Sequence, residues 1–164
     1  GDVYKRQIIT KIFKKIGSRN KNLILVDQQD GVLVNFAKCC SPVKGDPIVG
    51  FVTIGRGVVI HRTSCGRVLN TDPDRRVSVD WNPASEHLSL ARLFIVVEDR
   101  RGMLADLTGV MSEKNVNIIK VLVKSQANGI ARLSFDVNVS DLDELRKVIK
   151  AIETVKCVMS VTRE

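Results

Sequence analysis

Residues 93–104 read Leu-Phe-Ile-Val-Val-Glu-Asp-Arg-Arg-Gly-Met-Leu. The opening apolar run, Leu93–Val97, has the length and side-chain type of a buried strand. After the polar break Asp99-Arg-Arg-Gly102, the apolar positions Leu104, Leu107 and Met111 recur at helical spacing, which predicts a helix over Leu104–Glu113. A strand that turns directly into a helix is the first half of a β-α unit, and the residues on either side decide what it belongs to.

Downstream, Val116–Val123 and Ile130–Val139 read as strands meeting at Asn128-Gly129, a hairpin signal. A helix follows over Leu142–Glu153, with Asp141 as its N-cap and Glu144 three positions on, and Val155–Val161 closes as a strand. The order β-α-β-β-α-β is that of the ferredoxin-like split βαβ fold, over residues 88–164.

Upstream, Pro83 sits in the polar run 82–87 and marks a boundary. Before it the apolar runs are short and β-branched: Leu23–Val26, Val32–Phe36, Ile48–Thr53, Val58–Ile60 and Val77–Val79. Gly45, Gly50, Gly55 and Gly57 read as tight turns between them. One short helix is expected after Thr63 as N-cap, through Cys65, Val68 and Leu69, stopped by Asn70-Thr-Asp-Pro73. Residues 23–82 are therefore a small β-rich module, and the whole chain is α+β.

Residues 8–22 form a basic, helix-like stretch ending in a polar linker, the tail of an upstream element. Residues 1–7 resemble a translated sequencing-adapter tail and are set aside, which makes the chain a fragment.

Of 164 residues, 44% are hydrophobic and 27% charged, which suits a folded soluble protein rather than a disordered one. No window is apolar enough for a membrane span and no secretory signal opens the chain, so a cytoplasmic location without membrane contact is expected. Modules of roughly 60 and 75 residues lie near the lower limit for independent folding, where a metal in the first and pairing through the second would help.

The formal charge of +8 is uneven: residues 1–82 hold 14 Lys+Arg against 7 Asp+Glu, and residues 83–164 hold 12 against 11. A basic half suggests an anionic partner, RNA first, although a solvated basic surface gives the same count. Nothing in the chain supplies a Walker-type phosphate loop, a hydrolase His–Asp metal pair or a synthetase carboxylate cluster, so no catalytic residue is assigned.

Three of the four cysteines and one of two histidines gather as Cys39-Cys40 and His61-Arg-Thr-Ser-Cys65. In a reducing compartment these are either metal ligands or buried apolar residues. Zinc takes four such donors in a tetrahedron, and His61 and Cys65 would point the same way if the turn between them were helical. Adjacent cysteines can share one ion only if the backbone between them is contorted, which the following Ser41-Pro42 permits. Cys157, in the last expected strand, is a core or interface residue.

The stretch Phe36-Ala-Lys-Cys-Cys-Ser-Pro-Val-Lys-Gly-Asp-Pro-Ile-Val-Gly-Phe51, followed by Gly55-Arg-Gly-Val-Val-Ile-His-Arg-Thr-Ser-Cys65, resembles the conserved-cysteine or zinc-finger domain of RelA/SpoT proteins. The resemblance implies that Cys39, Cys40, His61 and Cys65 hold zinc. Residues 93–163, with Asp99-x-x-Gly102-x-Leu104, Asn117-Ile118 and Val158-Met-Ser-Val-Thr-Arg163, resemble an ACT domain. ACT domains bind small effectors, often amino acids, between paired copies. Asp99, Gly102, Met103, Leu104 and Asn117 would line that site, with Arg101 where proline is common; on spacing alone, Gly102 is as well explained by a simple turn.

Together the two modules resemble the C-terminal regulatory region of the enzymes that make and hydrolyse guanosine tetraphosphate and pentaphosphate. That implies a parent acting as GTP diphosphokinase, as guanosine-bis(diphosphate) 3'-pyrophosphohydrolase, or both, whose catalytic half lies upstream. It also implies docking on ribosomal RNA or tRNA through Lys38, Lys44, Arg56, Arg62 and Arg67, joined by Arg75 and Arg76. From a different class, the ACT half would be a homodimeric amino-acid sensor to which RNA is irrelevant.

Overall fold

The chain divides into two compact units between His87 and Leu88. The computed structural model describes residues 23–164; the basic stretch over 8–22 and the seven residues before it lie outside the described residues.

In the first unit the strands are β1 (Ile24–Val26), β2 (Val34–Phe36), β3 (Ile48–Thr53), β4 (Gly57–Arg62), β5 (Arg76–Val77) and β6 (Val79–Trp81). None exceeds six residues, so none can bury much surface without partners. Four of them associate in the order β2-β4-β3-β5, and β1 pairs with β6 as a separate antiparallel ribbon. Within the four-stranded sheet β2 runs parallel to β4, whereas β3 is antiparallel to both β4 and β5.

The core between these strands is made of Ile24, Val26, Val32, Val34, Val52, Val58, Ile60, Val77 and Val79. Phe36 stacks on Trp81 at 5.8 Å, and the Trp81 indole N–H donates to the Asp46 carbonyl at 2.8 Å. A second, smaller cluster joins Val49, Phe51 and Val68, with Cys65 against it.

Two expectations need correction. Gly50 lies inside β3 rather than in a turn, because a Cβ there would stand 2.7 Å from Val79 Cγ1 and 2.9 Å from Val58 Cγ1. Gly57, by contrast, ends the β3–β4 hairpin at φ +73°, where a Cβ would fall 2.3 Å from the Leu33 carbonyl oxygen. The expected helix after Thr63 is a five-residue 3-10 turn, Gly66–Asn70, whose N-cap is Cys65. Thr63 instead continues the chain out of β4, its N–H bonded to the Pro47 carbonyl.

The second unit follows β7 (Ser89–Glu98), α1 (Met103–Glu113), β8 (Asn117–Ser125), β9 (Ile130–Val139), α2 (Leu142–Glu153) and β10 (Val158–Arg163). The sheet order is β10-β7-β9-β8, antiparallel throughout, as expected for the ferredoxin-like arrangement. Alternation is strict on β7, where Ala91, Leu93, Ile95 and Val97 are buried. From β9 come Ala131, Leu133, Phe135, Val137 and Val139; the helices add Met103, Leu107 and Met111, and Leu145, Val148 and Ile152.

The Asp141 carboxylate accepts the Glu144 N–H at 2.8 Å, and Glu144 reaches back to the Ser140 N–H and hydroxyl, satisfying donors that a bare helix start leaves open. The closing strand begins three residues later than the apolar run suggests. Val155 and Cys157 lie in a turn, with the Val158 N–H on the Val155 carbonyl, and Cys157 is buried there. Among the described residues no helix is long and apolar enough to cross a membrane.

Candidate metal centre

The parallel pairing of β2 with β4 decides the site, because it sets Phe36 opposite Ile60 and so delivers the chain after β2 to the end of β4. Cys39 and Cys40 occupy the turn after β2, closed by the Ser41 N–H on the Ala37 carbonyl at 2.9 Å. His61 lies on β4, and a turn from Arg62 to Cys65 folds the last cysteine back, its N–H on the Arg62 carbonyl at 3.0 Å. His61 and Cys65 therefore converge through a strand end and a tight turn, not through a helical i,i+4 pair.

The four donor atoms of Cys39, Cys40, His61 and Cys65 all lie within 4.8 Å of one another. Cys39 Sγ is 3.5 Å from His61 Nδ1 and 3.7 Å from Cys65 Sγ, and Cys40 Sγ is 3.8 Å from His61 Nδ1. A tetrahedron with bonds of about 2.3 Å to sulfur and about 2.0 Å to nitrogen has edges of about 3.5–3.8 Å. Three of the six separations match those edges and all lie within 4.8 Å, so the donor set could hold a tetrahedral divalent ion.

The electrostatics of the bare cluster agree with this. Burial pushes the Cys40 thiol up to about 12, with Cys39 and Cys65 adding to the rise against the Arg62 N–H. Burial, then hydrogen bonding and charge from Cys65, also raises Cys39. Burial would raise Cys65 as well, but the Arg67 N–H and the two neighbouring thiols hold it below its ordinary value. Burial, reinforced by the Arg67 charge, lowers His61 and favours the neutral imidazole, the form that ligates metals. Three crowded thiols cannot ionise together without a compensating cation, and a dication supplies it.

Arg62 frames the cluster. Its backbone N–H donates to Cys40 Sγ at 3.3 Å, and its side-chain Nε donates to the Cys40 carbonyl at 2.8 Å. Neither bond was legible in the sequence, where Arg62 reads only as one cation among several. Phe51 meets the His61 ring edge-on at 5.8 Å.

The remaining cations divide by position. Lys38, Arg56 and Arg67 are exposed, Arg56 at the tip of the β3–β4 hairpin beside the exposed Ile54. Lys44 donates to the Ser85 carbonyl at 2.6 Å, and Arg76 lies over the Phe51 ring at 5.7 Å. Charge is also more local than the two halves suggest: residues 23–82 hold 7 Lys+Arg against 6 Asp+Glu, and residues 1–22 hold 7 against 1.

In the second unit, Gly102 caps α1 in the left-handed region at φ +83°, with open space where a side chain would stand. The Asp99 N–H is taken by the Gly129 carbonyl, Met103 is buried in the core, and Leu104 is exposed. Asn117 lines a different feature, a groove of about 710 Å³ along Ala105, Thr108, Gly109 and Ser112 of α1, which does not include the other four expected effector residues.

Residues 24–82 match the family model of the RelA/SpoT RIS domain, and residues 89–163 match that of the ACT domain. The chain is 39% identical over 156 residues to a GTP pyrophosphokinase of Myxococcus xanthus, covering 94% of this chain and 21% of that protein. It is 35% identical over 135 residues to the bifunctional (p)ppGpp synthase/hydrolase RelA of Mycobacterium tuberculosis, covering 81% and 18%. It thus spans about a fifth of the length of these curated relatives. Among solved structures, the ACT domain from the GTP pyrophosphokinase of Chlorobium tepidum aligns at 29% identity and a TM-score of 0.44, over 48% of this chain and 100% of that one.

Proposed function

Because the chain belongs to the RelA/SpoT family, with a RIS domain followed by an ACT domain, we propose that it is the C-terminal regulatory region of a (p)ppGpp synthetase/hydrolase. In this role it docks on ribosomal RNA or tRNA and relays nutrient state to a catalytic half elsewhere in the protein. The alarmone chemistry belongs to that half, this region acts without catalysis of its own, and the location is cytoplasmic.

The observation that carries the proposal is the four-donor cluster inside the RIS domain. Cys39, Cys40, His61 and Cys65 would hold zinc, which when bound balances the thiolate charge and ties the end of β2 to the end of β4. The chain's own residues do the rest. Arg56 at the hairpin tip, with Lys38 and Arg67, offers exposed cations on a platform held by those ties. Their contribution is phosphate neutralisation, which provides affinity without base selection and weakens with salt.

Elemental analysis and RNA titration test this together. One zinc per chain and an RNA affinity that falls steeply with salt are expected; a metal-free folded protein, or salt-independent binding, would refute it.

A second reading, a homodimeric amino-acid sensor, is favoured by the edge strand β8. It has a free edge in the sheet order, and Ile119, Leu122 and Val123 are 53%, 52% and 43% exposed. Pairing of two such edges would cover them and bring two Gly102 turns into one assembly, where backbone N–H groups at a helix start suit a carboxylate. Titration with branched-chain amino acids discriminates: micromolar binding with dimerisation supports the sensor, and no heat with a monomeric protein removes it.

A further inference from the structure

Neighbouring residues in a regular strand point to opposite faces, so two adjacent cysteines reach one point only where the backbone leaves regular geometry. Here the departure is the turn over residues 38–40, which runs on into Ser41 at φ +41°, in the left-handed region that residues with a Cβ rarely occupy. Pro42 follows and biases its predecessor towards extended backbone, so the turn works against its own local preference. Something else must hold it.

We infer that Arg62 is the positioning residue of the metal centre: its side chain clamps the Cys40 peptide so that both Cys39 and Cys40 present sulfur to one point. The inference rests on the proposed metal site and adds a residue outside the donor set. The geometry is specific. Arg62 Nε bonds the Cys40 carbonyl at 2.8 Å, while the Arg62 backbone N–H bonds the same residue's Sγ at 3.3 Å. One residue therefore grips both ends of Cys40, the carbonyl that leads into the Ser41 turn and the sulfur that faces the cluster.

Arg62 is itself fixed, because it closes β4 and is paired across the sheet with Ile48 of β3. The clamp thus anchors an irregular loop to a regular strand. The backbone half survives any substitution that keeps the N–H; the side-chain half does not. Arg62 acts through Cys40 and is not itself a ligand, and its side chain serves the loop rather than a phosphate.

The test uses the full chain saturated with zinc, challenged by a chromophoric chelator, with alkylation of each thiol followed by mass spectrometry. Removing a group that orients a metal ligand typically weakens metal binding by about 10–100-fold. Arg62→Ala and Arg62→Lys should both fall in that range, with Cys40 alkylated faster than in the parent chain. Lysine keeps the charge but places a single ammonium on a longer, more flexible stem.

Full rescue by Arg62→Lys would show that only charge matters and would overturn the clamp. An unchanged Arg62→Ala would overturn it too while leaving the metal centre standing. A parent chain that holds no stoichiometric metal would instead remove the metal centre, and the clamp with it.

Discussion

The two units solve the problem of being small in opposite ways. In the RIS unit no strand exceeds six residues, and its main core cluster of nine residues consists of seven valines and two isoleucines. In the ACT unit β7 and β9 run ten residues each, register-paired along their whole length, and large side chains such as Phe135, Leu133 and Leu145 are fully or almost fully buried. Valine buries less area than leucine, isoleucine, methionine or phenylalanine, so the first core is the weaker, and a core of this size rarely contributes more than about 3–5 kcal/mol net. The ACT unit closes its fold with apolar area; the RIS unit has, beside its smaller core, four donors that could hold a metal.

Stripping the metal gives the largest expected effect. Bound structural zinc in small modules is worth on the order of 10 kcal/mol, well above what the valine core supplies. Chelation, or Cys65→Ser, should therefore unfold the RIS unit and leave the ACT unit folded. The single tryptophan, Trp81, lies in the RIS unit, so its emission reports on that unit alone, while amide exchange follows the ACT strands. An apo protein with unshifted Trp81 emission would erase the contrast.

The reverse experiment is Phe135→Ala. Truncating a fully buried phenylalanine costs about 3–5 kcal/mol. Exchange protection should collapse in β7 and β9 with Trp81 emission unchanged, and a shift in both signals would mean that the units melt as one.

The same contrast explains what the sequence discloses. In the ACT unit each element carries its own periodic signal, so α2 was legible to the residue from Asp141 and the apolar spacing, and the hairpin from Asn128-Gly129. What failed there was an end: half-buried Val155 and buried Cys157 lie in a turn yet alternate with exposed Lys156 like strand residues, because side-chain burial alone does not fix backbone geometry. In the RIS unit the donor types were legible but the means of convergence was not. The parallel β2–β4 pairing and the Arg62 bonds are contacts between residues about twenty apart, and no local period encodes them.

Acid should separate the units in a defined order. Protons compete with metal for thiolate and imidazole, so the RIS unit loses stability as pH falls. The ACT unit is held differently: Arg92 Nε donates to Asp136 Oδ1 at 2.7 Å and Nη2 to Oδ2 at 3.0 Å. The hydrogen bond from Arg92, opposed by burial and aided by its charge, holds the Asp136 carboxyl below its ordinary value. A depressed carboxyl contributes fully above its unfolded value, about 4, and loses that contribution as pH falls through the lower folded value. Descending through pH 5, Trp81 emission should change before ACT exchange protection does. Asp136→Asn, which keeps the shape but removes the charge, should cost the ACT unit about 2 kcal/mol and abolish the acid-dependent part below pH 4. Simultaneous loss of both units on acidification would contradict the separation.

The smallest effect on stability, and the most specific on function, belongs to Arg56→Glu. Arg56 is exposed at the hairpin tip, and only its backbone carbonyl is used internally, accepting from the Asn35 side-chain amide. Exposed side chains away from caps and cores usually change stability by less than about 0.5 kcal/mol, so metal content and Trp81 emission should match the parent chain. If the tip meets RNA phosphate, affinity should fall for all RNA sequences alike and the slope of log affinity against log salt should drop by about 1. The RIS unit's near balance of charge sharpens this test. With 7 Lys+Arg against 6 Asp+Glu over residues 23–82, its net charge alone cannot drive binding, so loss of one well-placed cation must be visible. An unchanged slope in Arg56→Glu would transfer the electrostatic role to the basic residues 8–22, where 5 Lys+Arg face no acid.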